Sequence, residues 1–214
     1  MNLHRRDVMA GLLGTLALPR GLSAADGAGA AAVVQDWYRL VLELVRHTPT
    51  FSPPVASRAF AYIGVALYEA LLPPGARSLA GQMPGLAAAP ARPGNAEDAA
   101  VAHAVLAAMT AALFANTGPT GQRALAAMTR RLGERVAAGQ SAARVAAGTA
   151  HGQAVAAHVL AWSQDDGGAV IANMGFPQSY PPAAQPGDWV PTSLVRQQQT
   201  PLLPGWGQNR TFAL

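Results

Sequence analysis

Two proline pairs, Pro53-Pro54 and Pro73-Pro74, bracket the segment "VASRAFAYIGVALYEALL" and fix what it can become. Proline is tolerated in the first helical turn, where its missing amide hydrogen has no intrahelical acceptor, and it stops a helix at the far end. The segment is therefore predicted as a helix from about 54 or 55 to 72. Phe60, Ile63, Leu67 and Leu71 form one apolar row, Ala56, Ala59, Ala66 and Ala70 leave room for a neighbouring helix, and Gly64 falls within that surface. The polar residues are only Ser57, Arg58, Tyr62, Tyr68 and Glu69, which is thin for an active site, so the prolines read as architectural. Arg58 and Tyr62, four apart, share a face. Glu69, inside so apolar a run, is expected at the helix edge, paired with an arginine from a neighbour.

The rest of the chain continues in the same idiom. Half of its 214 residues are hydrophobic, 12% are charged and alanine fills long tracts, which points to a folded helical chain rather than a disordered one. A helix over about 28–46 carries Val33, Val34, Trp37, Leu40, Val41, Leu44 and Val45 at three- and four-residue spacing and ends at His47-Thr48 before Pro49. After a Gly/Pro/Ala linker over 75–95, a third helix spans about 96–115, with Asn95 as a candidate cap, Glu97 and Asp98 at its positive end and His103 as a core or boundary residue. A fourth, about 119–138, turns Leu125, Met128, Leu132 and Val136 inward and Arg123, Arg130, Arg131, Glu134 and Arg135 outward. A fifth, about 141–163, has Ser141 as candidate cap and carries Val145, His151, Val155, His158, Val159 and Trp162. The expected fold is all-α, about five helices in a bundle-like array with a long Pro/Gly/Trp-rich carboxyl-terminal coil.

Residue types exclude several chemistries. With no cysteine there are no disulfides, thiol nucleophiles or thiolate metal sites, and with every basic residue an arginine there is no amine for a Schiff base. His151 and His158 are two turns apart and lack the carboxylate partners of a hydrolytic metal site. Asp165-Asp166-Gly167-Gly168 lacks the further oxygen ligands of a calcium loop. An exported phosphatase built on His151, His158 and Asp165 or Asp166 would have neither nucleophile nor oxyanion arrangement. Residues 1–25 have a basic start, an apolar stretch from Val8 to Leu18 and small residues at Ser23–Ala25, which reads as an export signal; Arg5-Arg6 suggests the twin-arginine type. The apolar stretch is too short to span a bilayer. Losing that leader takes the formal charge from +4 to about +2, and the arginines are scattered, so no nucleic-acid footprint is expected. The organisation predicted is a signal over 1–25, a helical domain over 26–163 and an extended strap over 164–214, with Trp189 and Trp206 as apolar anchors.

Taken in order, the Trp37 helix, "RHTPTFSPPVASRAFAYIGVALYEAL", "SLAGQMPGL", "VLAWSQDDGG" and "YPPAAQPGDWVPT" leading to "PLLPGWGQNRTFAL" resemble the bacterial vanadium-dependent haloperoxidase-like proteins, relatives of the type 2 phosphatidic acid phosphatases. The resemblance runs from about residue 31 to 214. It implies a helical oxidoreductase or phosphatase in which Lys, Arg, Ser and backbone amides hold vanadate, one histidine bonds the oxyanion and another serves acid–base chemistry. The family recognises that site by a Lys-and-Arg segment, a Pro-Ser-Gly-His segment and a final Ser-Arg segment followed by Gly and His, and none of the three occurs here. No catalytic, cofactor-binding or metal residue is therefore assigned to this chain. It is expected to be the amino-terminal scaffold of a longer, truncated enzyme, inactive alone. The complete homologue would use vanadate for peroxide-dependent halide oxidation, or would hydrolyse phosphate monoesters. Its partner would be the missing catalytic half or a second copy, outside the cytoplasm in the periplasm or medium. The alternative is an exported, non-catalytic binding or assembly protein that uses its Pro/Trp strap for a partner.

Overall fold

The computed structural model describes residues 24–168, 185–188, 203 and 206–212; most of the leader and much of the predicted strap, including Trp189, lie outside the described residues. Among the described residues five helices lie within a residue or two of the predicted bounds, except that the first begins four residues early: α1 (Ala24–His47), α2 (Pro53–Leu71), α3 (Asp98–Leu113), α4 (Pro119–Ala137) and α5 (Ala142–Ser163). A short 3-10 turn, Trp206–Gln208, follows, and there is no strand among the described residues. No described helix is long and apolar enough to cross a membrane.

The centre of the bundle is α3, "DAAVAHAVLAAMTAAL", which touches all four other helices. After Asp98 it carries no charged side chain (His103 aside), and a helix that is apolar all round must be covered all round. Val101, Val105, Leu106 and Met109 are fully enclosed. Around them pack Trp37 and Val41 from α1, Tyr62 and Ile63 from α2, Leu132 from α4 and Val155 and Val159 from α5. Phe51 and Phe114, from the turns after α1 and α3, stack at 4.5 Å and close one end.

The tightest crossing is between α3 and α5. A β-carbon on Gly148 would lie 2.7 Å from the Glu97 carbonyl oxygen and 3.0 Å from Ala100 Cβ; on Gly152, 2.7 Å from the Val101 carbonyl oxygen and 2.9 Å from Ala104 Cβ. Two glycines one turn apart thus face two alanines one turn apart, and the backbones meet. Gly64, expected in a close-approach surface, instead has open space where a β-carbon would go. The inward face of α2 is Ala59, Tyr62, Ile63, Ala66 and Ala70, with Phe60, Leu67 and Leu71 on its margin.

Helix starts also differ from expectation. The cap of α3 is Glu97, whose side chain accepts from the Ala100 amide at 2.6 Å; Asn95 is exposed outside the helix. Asp98 in the first turn pairs with Arg92. Ser141 occupies the cap position of α5 without a side-chain hydrogen bond.

Two histidines are held neutral within this packing. His103, half-buried, receives the Trp37 indole N–H on Nδ1 at 3.2 Å, while His151 must carry its proton on Nε2, because that atom lies 3.1 Å from the Ala70 carbonyl, which can only accept. Burial pushes both below the ordinary histidine value, outweighing bonds to the Thr129 and Ala70 backbone that push up. The unfolded chain therefore binds more protons near pH 6, so stability is complete above the unfolded value of 6.5 and falls as pH drops through the lowered folded values. The midpoint of urea unfolding is expected to fall between pH 7.5 and 5.5, with a slope of up to about 1.4 kcal/mol per pH unit for each histidine. Removing one titrating group with His151→Asn should flatten that dependence.

Candidate functional site

Arg58 and Tyr62 lie one turn apart on α2, and both reach the loop that leaves α5. Arg58 Nε donates to Asp166 Oδ1 at 2.9 Å, Arg58 Nη2 lies 2.8 Å from the same oxygen, and the Tyr62 hydroxyl donates to Asp166 Oδ2 at 2.5 Å. Arg58 Nη2 also donates to the Ser163 carbonyl, the last residue of α5. The ion pair is buried, with side-chain exposures of 5% for Arg58 and 3% for Asp166. Removing two charges from water is costly, and the hydrogen bonds to Tyr62 and Ser163 offset that cost by using the remaining polar valences. Burial first, and then the bond to the Asp166 carboxylate, push the Tyr62 phenol up to about 12.

The segment around the 3-10 turn closes over this pair. Arg210 Nη1 donates to the Tyr62 oxygen at 3.0 Å and to the Trp162 carbonyl at 2.9 Å, and its guanidinium lies 4.3 Å from the centre of the Trp162 ring. Phe212 meets Tyr62 edge-on at 5.2 Å and stacks on Trp162 at 5.6 Å, while Trp162 donates its indole N–H to the Pro84 carbonyl. Trp206, half-buried, packs against the core cluster. Gly168 is required where it stands: a β-carbon there would lie 2.5 Å from Asn209 Oδ1 and 2.6 Å from Arg58 Cδ. Between α2 and this segment a cleft of about 450 Å³ remains open, lined by Ser57, Ala61 and the residues of the cluster.

The sequence places Arg58 and Tyr62 on one face but gives them no partner, and its arginines read as scattered. The structure instead buries Arg58 and joins it to Arg210 through Asp166 and Tyr62. Glu69 does not meet an arginine. Its carboxylate accepts from the Ser78 hydroxyl at 2.9 and 3.1 Å and from the Leu79 amide at 2.6 Å, tying down the start of the linker. His151 and His158 are not brought together: one bonds the Ala70 carbonyl and the other lies 3.0 Å from the Ala87 carbonyl. Asp165 is exposed beside buried Asp166.

These residues do not fit vanadate. An oxyanion of high charge needs convergent cations and, in the resemblance, a free imidazole nitrogen. Here the Arg58 charge is matched by Asp166, and no histidine lines the cleft. Among the described residues no group of three or more His, Asp or Glu can hold a metal ion.

No family model matches the chain, and no curated protein matches it. Among solved structures, it is similar to the crystal structure of the first bacterial vanadium-dependent iodoperoxidase, at 27% sequence identity and a TM-score of 0.64. The similarity covers 86% of this chain and 42% of that one, so the chain spans less than half the length of the structure it matches. The two are distantly related in structure, and this chain is a helical domain akin to part of a vanadium haloperoxidase.

Proposed function

We propose that this chain is the amino-terminal helical scaffold of a vanadium-dependent haloperoxidase-like protein, and that it supports a vanadate or phosphate site made elsewhere rather than holding one. The observation that carries the reading is the asymmetry of the match, 86% of this chain against 42% of the iodoperoxidase structure. The ionic cluster supports it, because Arg58 and Asp166 answer each other and Asp166 is further committed to the Tyr62 hydroxyl. In the related phosphatases of the superfamily phosphate would take vanadate's place, and the same scaffold role would apply.

Calorimetric titration of the chain with vanadate is expected to give no saturable heat. The same titration after adding the polypeptide encoded immediately downstream is expected to give heat, together with halide oxidation by peroxide or phosphate-ester hydrolysis. Saturable binding to the chain alone would sink the reading; silence in both titrations would favour a non-catalytic exported binding protein. We also propose export through the leader over residues 1–25, on the strength of Arg5-Arg6 and the apolar stretch that follows. Arg5→Lys with Arg6→Lys should shift the protein from the exported to the cytoplasmic fraction.

A further inference from the structure

The cleft beside the ionic cluster has an uneven charge balance. Asp166 uses one carboxylate oxygen on Arg58 and the other on the Tyr62 hydroxyl, so its charge is committed. Arg210 is bonded only to neutral acceptors, the Tyr62 oxygen and the Trp162 carbonyl, both through Nη1. Its Nε and Nη2 make no hydrogen bond to the described residues. Among the described residues, two guanidiniums and one carboxylate leave a single positive charge on the half-buried Arg210, where a matching anion gains more than it would at an exposed site. The cleft walls add aromatic surface from Trp206 and Phe212, and its volume of about 450 Å³ suits a small organic molecule.

From this geometry we infer that the cleft binds a small organic monoanion, a carboxylate on an aromatic or apolar body, with Arg210 holding the carboxylate and Trp206 and Phe212 flanking the body. The charge balance favours one negative charge over two, and a planar carboxylate matches the guanidinium fork. Free phosphate offers no body for the aromatic walls. The inference is independent of the scaffold reading, since the residues named all lie in this chain.

The probe is benzoate, titrated calorimetrically into the full chain, with benzyl alcohol and inorganic phosphate as comparisons. Saturable benzoate binding is expected with a Kd on the order of 1 mM, at least about tenfold tighter than for either comparison. Arg210→Gln is expected to weaken it at least about tenfold. Because that change also loosens the Trp206–Phe212 segment, Ala61→Phe serves as the second variant: it fills the cleft from α2 without touching the cluster's hydrogen bonds, and should abolish binding while Tm is kept. Absence of saturation by benzoate overturns the inference. So does equal binding of benzyl alcohol, tighter binding of phosphate, or undiminished binding by Ala61→Phe.

Discussion

Gly152→Leu is expected to leave the protein unfolded or unable to keep the α3–α5 crossing, and Gly152→Ala to lower stability measurably. Even one methyl group at residue 152 would lie 2.7 Å from the Val101 carbonyl oxygen, 2.9 Å from Ala104 Cβ and 3.0 Å from the Val105 nitrogen. Two of those atoms are helix backbone, which cannot rotate away, so the helices must separate. Separation would loosen α3 where it is fully enclosed, and overpacking of this kind costs about 1–3 kcal/mol for small insertions and more for a leucine. Alanine recovers up to about 1 kcal/mol of helix propensity over glycine, which partly offsets the clash but does not reverse it. Since domains of this size are stable by about 5–15 kcal/mol, the leucine variant threatens a large share of the total. Gly64→Ala is the control: with nothing within 4 Å, it should be neutral or stabilising by up to about 1 kcal/mol. Urea midpoints for the three variants separate the cases, and equal gains for alanine at 64 and 152 would show that backbone propensity, not the crossing, governs both.

The contrast between those two glycines shows what was legible in the sequence. The bounds of α2 were readable because the Pro53-Pro54 pair opens it and the Pro73-Pro74 pair closes it, each acting through its own backbone. Close approach depends on two surfaces at once. Gly148 and Gly152 stood one turn apart in the sequence, as did Ala100 and Ala104, but only the bundle shows that the pairs face each other. The cluster at α2 was half legible for the same reason. Helical spacing put Arg58 and Tyr62 on one face, while their partner sits more than a hundred residues away in a loop with two adjacent aspartates. Sequence treats Asp165 and Asp166 alike; the turn after Ser163 points one into the bundle and leaves the other in water. Glu69 misled because an apolar helix suggests a cation from a neighbouring helix. A carboxylate is equally well answered by a hydroxyl and an amide nine and ten residues on, once the chain turns back at Pro73-Pro74.

Removing that inward aspartate should have the largest effect of any polar substitution here. Asp166→Ala would leave the Arg58 guanidinium at 5% exposure with its carboxylate gone and would strip the acceptor from the Tyr62 hydroxyl. Breaking one side of a buried pair costs about 3–5 kcal/mol, most of it the penalty of an unanswered charge. Asp166→Asn keeps the shape and an acceptor oxygen, so it should fall between wild type and alanine. The double change Arg58→Met with Asp166→Leu removes both charges and should lose less than Asp166→Ala alone; if the double variant is worse, the pair is stabilising in its own right. A second readout separates local from global damage. The Tyr62 phenol, held at about 12 partly by Asp166, should titrate lower in Asp166→Asn, visible as tyrosinate absorbance at less alkaline pH. Arg210 donates to that same hydroxyl oxygen, so amide exchange over residues 206–212 should accelerate more than exchange within α3. Uniform acceleration across α3 and the segment would mean that the cluster holds up the whole bundle rather than fastening one segment to it.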